Sequence, residues 1–295
     1  MVQYVPHSYG WKAMNLGLCL WLLGQRRRRR FLVMFHEVAY PFRHGQPLKH
    51  DMLAAVHRIM AWIVLHSAER SFTSMESYRK LLNRLAPNIP VELSRICSNV
   101  PFKDWQQKPR ELAEFKKVGV FSNFRPEICS VLEPVAAALL ANPKIHLRLI
   151  GPGSSLVHKF RAQFPKHSHQ VSTTGRVPVV DVGPYLQACD VLLQIYPEGA
   201  VGARGTLIAA LASGVPVVTT AGEMTEPIFE TCGGLVIADD DPTAIRRSVE
   251  DLLTDHSLAR RIGSGGRRLY KKYFDIAVTA ARLESLSRTA LQADA

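Results

Sequence analysis

Short continuous apolar runs alternate along this chain with longer segments whose apolar residues recur at helical spacing. In the first hundred residues, FLVMFHEV predicts a strand buried on both faces, and residues 51–69 predict a helix. RSFTSM and NIPVELSRICSNVP predict two further strands, while MNLGLCLWLLGQ and ESYRKLLNRL predict two further helices. Strands that alternate with helices indicate a parallel sheet covered by helices.

A second alternation of the same kind begins near residue 118. Six apolar strands are predicted there: KVGVFSN, KIHLRLIGPGS, HQVSTTGRV, DVLLQIYP, VPVVTT and GGLVIA. The polar, charged stretch 102–117 separates the two alternations and is typical of a linker. We therefore expect an N-terminal domain over 1–101, a linker over 102–117, a C-terminal domain over 118–275 and a final helix over 276–295.

Composition narrows the class of protein without naming its partner. The chain has 295 residues, a length that favours two domains, and its 47% hydrophobic content is ordinary for a soluble globular protein. A formal net charge of +12 favours an anionic partner, which could be nucleic acid, an acidic membrane surface or a phosphorylated small molecule.

Cysteine usage and the apolar run at 16–23 bear on the compartment. The five cysteines are scattered and never form a C-x-x-C pair, a pattern typical of reduced, packed thiols in a cytoplasmic protein without a zinc site. The run 16–23 is interrupted by Gly17 and is far shorter than the ~20 apolar residues that span a bilayer. We expect a cytoplasmic protein that is either soluble or peripheral to the membrane.

The stretch EGAVGARGT lies between a predicted strand and a predicted helix and carries the strongest chemical signal. Glu198 follows the strand DVLLQIYP, and Thr206 is placed to cap the helix LIAALAS. A helix start offers unpaired N–H groups, Arg204 adds a full positive charge, and the glycines allow a ligand to approach the backbone. This set suits a diphosphate next to a polyhydroxylated group. The alternative is a tight connection whose glycines serve only geometry.

This segment resembles the donor-site segment of the family 4 retaining glycosyltransferases, which have the GT-B fold. The resemblance extends to GVFSNFRPEI, LIGPGS, TTGRV and TTAGEMTEP, and in the first part to YVPHSYG and LVMFHEVAYPF. It implies an α/β chain with two Rossmann-like domains and parallel sheets, the N-terminal one on the acceptor side. Family members usually have several β-α units before YVPHSYG. The N-terminal domain is therefore expected to be truncated, which would leave FLVMF without one sheet neighbour.

The resemblance also implies the chemistry. A nucleotide-sugar binds mainly to the C-terminal domain, and its sugar passes to a glycan, lipid-linked or small-molecule acceptor with retained configuration. No metal or other cofactor is needed. Polysaccharide biosynthesis is the kind of process in which such enzymes act.

Individual roles carry over unevenly. Glu198 matches the first of the family's two glutamates separated by seven residues, but the second glutamate is missing. The catalytic candidates are Glu198 and His36, which ends the strand FLVMF and would be a structural histidine in the alternative reading. The donor and diphosphate candidates are Ser122, Asn123, Arg125, Gly151, Gly153, Arg176, Val177, Gly199, Arg204, Gly205, Thr206 and Glu226.

Several other readings stay open or are disfavoured. Asp239–Asp241 resembles a metal cluster, but a helix N-cap explains it better, so no metal is expected. Arg26–Arg30 either contacts anionic lipid on the inner face of the membrane or forms a solvated loop. A non-catalytic nucleotide-sugar-binding protein is the alternative function. Nucleic-acid binding is disfavoured because the basic chain lacks a recognition motif.

Overall fold

The computed structural model describes residues 1–8, 10–102, 115–282 and 284. The chain divides into two compact units, Met1–Arg95 and Ile96–Ala295, each of which contains one parallel sheet. Most of the predicted linker, at 103–114, lies outside the described residues, as does most of the predicted final helix. Residues 276–282 of that helix are helical.

The N-terminal unit is a four-stranded sheet with helices between its strands. Its elements are β1 (Val2–Tyr4), α1 (Leu16–Gln25), β2 (Leu32–Phe35), α2 (Leu48–Ser67), β3 (Arg70–Thr73), α3 (Glu76–Leu85) and β4 (Val91–Leu93). The strand order is β1-β2-β3-β4, with every pair parallel. The predicted strands β2 to β4 and all three predicted helices are confirmed.

The expectation that FLVMF lacks a sheet neighbour is wrong. β1 pairs with β2 in parallel, with Tyr4 opposite Phe35, and their rings lie 4.9 Å apart in the core. The backbone N–H of His36 also donates to the Tyr4 carbonyl. A strand of three residues is too short to show a hydrophobic period, so the sequence pattern gave no sign of it.

The C-terminal unit is a larger sheet of the same kind. Its strands are β5 (Lys116–Phe121), β6 (Ile145–Ile150), β7 (Val171–Thr173), β8 (Val191–Gln194), β9 (Val217–Thr220) and β10 (Val236–Ala238). Its helices are α4 (Pro126–Leu140), α5 (Ser154–Gln163), α6 (Val179–Gln187), α7 (Gly205–Ser213), α8 (Pro227–Thr231), α9 (Pro242–Thr254) and α10 (His256–Tyr273). The six predicted strands are confirmed, whereas the five-residue helix α8 was not predicted.

Strand order in this sheet determines where a ligand can bind. The order is β10-β9-β8-β5-β6-β7, and all neighbours are parallel. The chain therefore winds outward from β5 on one side and from β8 on the other. The loops that leave β5 and β8 at the carboxyl edge therefore diverge, and the crevice between such loops is the usual ligand position in sheets of this kind.

Every cysteine of the chain lies among the described residues and has a free thiol. Cys19 and Cys189 are buried, and burial raises the pKa of the Cys19 thiol to about 11 and that of Cys189 to about 12. The prediction of reduced, packed thiols is confirmed for these two residues.

Backbone contacts between glycines fix α10 against the end of α7. A Cβ atom on Gly263 would overlap the carbonyl oxygen of Gly214, the left-handed residue that ends α7. Gly265 and Gly266 meet the backbone of Gly233 and Gly234 in the same way. These contacts leave no room for even a methyl group, because the opposing atoms belong to backbone.

Replacing Gly263 by alanine is expected to destabilise the chain. The added methyl must push α10 away from α7, at a cost of about 1–3 kcal/mol in the free energy of unfolding. The matched control is Gly24→Ala in α1, where a Cβ atom meets nothing within 4 Å and alanine should add up to about 1 kcal/mol. Urea unfolding measures both, and equal stability of the two variants would contradict the packing described.

Candidate functional site

The loop between β8 and α7 brings two of the predicted site residues into direct contact. Arg204 is the residue before α7, and its own side chain does not cap that helix start. Its guanidinium forms an ion pair with the Glu198 carboxylate and lies over the Tyr196 ring, with Cζ 5.2 Å from the ring centroid. Both charged side chains remain partly exposed. The loop therefore presents a cation, a carboxylate and the positive end of a helix together.

The prediction that Thr206 caps α7 is wrong. Thr206 lies inside the first turn, after Gly205, and its hydroxyl is 2.7 Å from the Tyr196 hydroxyl. Tyr196 donates to Gln194 Oε1 at 3.0 Å, so the Thr206 hydroxyl is the donor to Tyr196. Burial raises the pKa of Tyr196 far above its ordinary value, which keeps the phenol protonated. A chain of three hydrogen-bonding side chains thus ties the start of α7 to the end of β8.

A second loop, between β9 and α8, braces the first. The Met224 N–H donates to the Glu198 carbonyl at 2.9 Å, and the Glu226 N–H donates to the Ala200 carbonyl at 2.9 Å. Glu226 is buried, and its carboxylate accepts from the Gly202 N–H at 3.2 Å. The structure therefore shows Glu226 holding the glycine-rich loop in place.

Gly199 makes this close approach possible. Its φ of 91° lies in the left-handed region, and a Cβ atom there would overlap the Thr225 hydroxyl and approach the Gly222 nitrogen to 2.6 Å. Gly222 meets the Glu198 backbone from the other side. The two loops can pack backbone to backbone only because both positions lack side chains.

The loops after β5 and β6 form the other half of the edge. The Ser122 hydroxyl accepts from the Phe124 N–H at 3.1 Å, and Asn123 and Arg125 are exposed. Arg125 is the residue before α4, and no side chain caps that start either. Gly151, at φ 126°, has no room for a Cβ because the Ser122 carbonyl lies against it. These contacts place an exposed arginine and a second open helix start beside the crevice.

The remaining candidates complete the same edge. Gly153 is the residue before α5 and packs against Leu149 and Phe124. Arg176 is exposed after β7, while Val177 is half-buried against the core. All the predicted donor residues therefore follow the carboxyl ends of strands in the six-stranded sheet.

Asp241 is not one of the donor candidates and has a structural role. Its carboxylate accepts from the Ala244 N–H at 2.8 Å and caps α9. The interpretation of Asp239–Asp241 as an N-cap is confirmed.

The N-terminal unit carries a separate pocket at the carboxyl ends of its strands. His36 Nε2 lies 2.5 Å from Gln3 Oε1, so this candidate contacts the strand beside it. A neighbouring pocket of about 260 Å³ is lined in part by His7, Glu37 and Tyr78, and does not include His36. His7 Nε2 and Glu37 Oε2 are 3.7 Å apart. Burial, aided by Glu37, raises the pKa of Tyr78.

This pocket was not predicted from the sequence, because β1 was not recognised as a strand. His7 follows β1 as Glu37 follows β2, and adjacent parallel strands bring such residues to one edge. Recognising VQY as a strand would have placed them together.

The C-terminal unit is similar to a known protein family. Residues 116–255 match the family model described as glycosyl transferases group 1. This range contains β5 to α9 and so includes every donor candidate. No curated protein sequence matches the chain.

Solved structures extend the comparison to the fold of both units. Sucrose-phosphate synthase from Thermosynechococcus elongatus has a TM-score of 0.66 and 17% identity, covering 99% of this chain and 73% of that one. The Anabaena protein HepE in complex with UDP and glucose has a TM-score of 0.60 and 17% identity, covering 94% and 75%. The pneumococcal O-GlcNAc transferase GtfA with UDP and GlcNAc has a TM-score of 0.63 and 14% identity, covering 95% and 56%. The chain has the GT-B type of fold, with two Rossmann-like units.

The close contact at Gly199 gives a test of the site's geometry. Gly199→Ala should cost about 2 kcal/mol or more, because alanine is strained at this φ and its methyl overlaps the opposing loop. Gly205→Ala is the matched control, since a Cβ there meets nothing within 4 Å. Thermal unfolding compares them, and a Gly199→Ala variant with unchanged melting temperature would show that the two loops are not braced as described.

Proposed function

We propose that this chain is a glycosyltransferase that takes a sugar from a nucleotide-diphosphate sugar and passes it to an acceptor hydroxyl. The observation that carries the proposal is the Glu198–Arg204 pair at the uncapped start of α7. It lies where the strand order reverses, within the segment that matches the group 1 glycosyl transferase model. The acceptor is a glycan, a lipid-linked sugar or a small molecule.

The ion pair suggests how the donor binds. The diphosphate would replace the Glu198 carboxylate as the partner of Arg204 and accept hydrogen bonds from N–H groups at the start of α7. Glu198, released from the arginine, would then accept hydrogen bonds from sugar hydroxyls. Arg125 and the start of α4 would approach the same phosphates from across the crevice.

The same groups would promote departure of the nucleotide. Negative charge develops on the diphosphate oxygen as the bond to the sugar breaks, and fixed N–H groups and guanidinium groups stabilise that charge without reorganising. We propose that these groups do the work that a divalent metal does elsewhere. Attack from the side of the leaving group would retain configuration, with the leaving phosphate accepting the proton of the acceptor hydroxyl.

Two of the similar structures favour a uridine nucleotide as the first donor to test. HepE is described with UDP and glucose, and GtfA with UDP and GlcNAc. Arg176 and Val177, after β7, are the proposed contacts for the base.

A thermal-shift screen of UDP-, GDP- and ADP-sugars in the presence of EDTA tests donor binding. One nucleotide class should raise the melting temperature, because a ligand that binds only the folded chain stabilises it. Arg204→Gln should weaken that binding about tenfold or more, since it removes a charged hydrogen-bonding partner.

The control for this experiment is Arg260→Gln, which removes an exposed arginine of α10 and should leave the shift unchanged. A shift that needs a divalent cation would contradict the metal-free part of the proposal. A shift unaffected by Arg204→Gln would contradict the assigned site.

One observation supports the alternative of a non-catalytic nucleotide-sugar-binding protein. Seven residues separate Glu198 from Thr206, which contacts Tyr196 and carries no carboxylate. The two functions differ in turnover: a binder would show the thermal shift without releasing nucleoside diphosphate with any acceptor.

We further propose that the pocket of His7 and Glu37 receives the acceptor hydroxyl. A carboxylate and an imidazole 3.7 Å apart can orient a hydroxyl, and Glu37 Oε2 is buried without a hydrogen bond among the described residues. His36 remains a second candidate beside this pocket.

Glu37→Gln is expected to lower the transfer rate while leaving the donor-induced thermal shift unchanged, because the pocket belongs to the N-terminal unit. A loss of roughly tenfold to a hundredfold is expected for a group that positions a reacting hydroxyl. Glu69→Gln, on the exposed turn before β3, is the matched control. Equal rates for both variants in a nucleotide-release assay would remove Glu37 from the acceptor site.

A further inference from the structure

Five of the six exposed residues of α2 are apolar, and the sixth is Lys49 near its start. A helix on the surface of a soluble protein usually turns polar residues toward water. Here the outward positions recur every three or four residues and carry Leu48, Met52, Ala55, Ile59 and Trp62. Their larger members are strongly exposed, at 82% for Leu48, 55% for Met52, 52% for Ile59 and 44% for Trp62.

The neighbouring helix α1 repeats the pattern. Its outward positions are Gly17, Leu20, Trp21 and Gly24, with Leu20 exposed by 56% and Trp21 by 52%. α1 packs against α2 within the N-terminal unit. Two adjacent helices therefore both present apolar side chains to solvent. Single exposed apolar residues are common on protein surfaces, but these side chains together form a patch.

Hydrogen bonds and ring contacts join this patch to the arginine run. Arg26 follows α1 and donates from Nη1 to the His66 carbonyl, at the end of α2, at 3.1 Å. The His66 ring lies 4.0 Å from the Trp62 ring, centroid to centroid. Arg26–Arg30, all exposed, thus border the end of the patch that contains Trp62.

The charge around the patch is mainly positive. The first acidic residue of the sequence is Glu37, so α1 and the arginine run contain no acidic residue. In α2 the single acidic residue is Asp51. Arg30 lies 3.8 Å from Glu69, while Arg27, Arg28 and Arg29 extend the positive charge away from that pair.

The helix lengths indicate how such a surface would meet a bilayer. Among the described residues, no helix is long and apolar enough to cross a membrane. The ten residues of α1 extend about 15 Å, half of a hydrocarbon core. Exposed tryptophans beside arginines suit the boundary between headgroups and acyl chains, where a helix lies flat.

We propose that the exposed faces of α1 and α2, together with Arg26–Arg30, dock the N-terminal unit on an anionic lipid bilayer. The apolar side chains insert at the acyl boundary, and the arginines bind phosphate headgroups. A symmetric contact with a second copy is disfavoured, because a two-fold interface brings the same patch of both copies together, and the single acidic residue in α1, α2 and the arginine run that could meet five arginines is Asp51. This inference is independent of the proposed transferase activity.

Co-sedimentation with vesicles tests the docking surface. The full chain should bind vesicles rich in phosphatidylglycerol and not vesicles of phosphatidylcholine alone. Arg27→Gln, Arg28→Gln and Arg29→Gln combined should weaken binding about a hundredfold, at roughly fivefold per arginine. Trp21→Ser with Trp62→Ser should weaken it about tenfold or more, because two inserting rings are lost.

The matched control removes the same charge elsewhere. Arg260→Gln, Arg261→Gln and Arg268→Gln lie on exposed positions of α10, and Val180→Ser replaces an exposed apolar residue of α6. These variants should bind as the unmodified chain does. Quenching of tryptophan fluorescence by lipids brominated in the acyl chain gives a second measurement on the unmodified chain, and it should be strong.

Each contrary outcome overturns the proposal. Binding that depends on the arginines but not on the tryptophans, without quenching, would mean simple electrostatic adsorption. Equal loss in the α10 control would mean that net charge alone is responsible. Failure to bind anionic vesicles, combined with self-association that the tryptophan variants abolish, would assign the patch to contact between copies.

Discussion

The site depends on the positive ends of two helices that begin at one edge of the sheet. α7 begins at Gly205 and α4 at Pro126, and the side chain of the preceding arginine caps neither start. The start of α4 follows β5 and the start of α7 follows β8. These two central strands are the neighbours at which the strand order reverses. Positive potential is thereby concentrated at one place on the edge before any charged side chain is counted. The close contacts of Gly199 and Gly222 and the hydrogen bonds between the two loops fix the backbone around that place.

Two sets of contacts hold this edge of the sheet rigid, one to the strand β8 and one to the β9–α8 loop. The hydrogen bonds from Thr206 to Tyr196 and on to Gln194 fix the first turn of α7 to a strand whose residues are all buried. The β9–α8 loop holds the glycine-rich loop through Glu226 and main-chain bonds. Preorganisation of this kind matters to a transferase, because groups that must not move during bond cleavage stabilise the leaving diphosphate most effectively.

Periodicity predicted the fold well and the site only in outline. Long elements such as α2 and buried strands such as β8 have clear apolar patterns, whereas β1 and α8 are too short to have one. The glycine-rich loop was found because its residue types are unusual between a strand and a helix. The side-chain contacts within this loop were not predicted from the sequence. The contact of Glu198 with Arg204 and that of Thr206 with Tyr196 depend on how the loop folds back. Periodicity also shows that α2 is a helix, but it does not show that apolar residues such as Ile59 and Trp62 lie on its exposed face.

The ion pair in the glycine-rich loop has a consequence for selectivity. While Glu198 and Arg204 form an ion pair, the start of α7 carries the helix dipole but little net charge from these two side chains. Inorganic phosphate bound to the guanidinium would leave the Glu198 carboxylate without a partner and close to the phosphate oxygens. A ligand with sugar hydroxyls next to its diphosphate would supply that carboxylate with new partners. Under the proposed function, the pair would therefore favour sugar-linked diphosphates over inorganic phosphate.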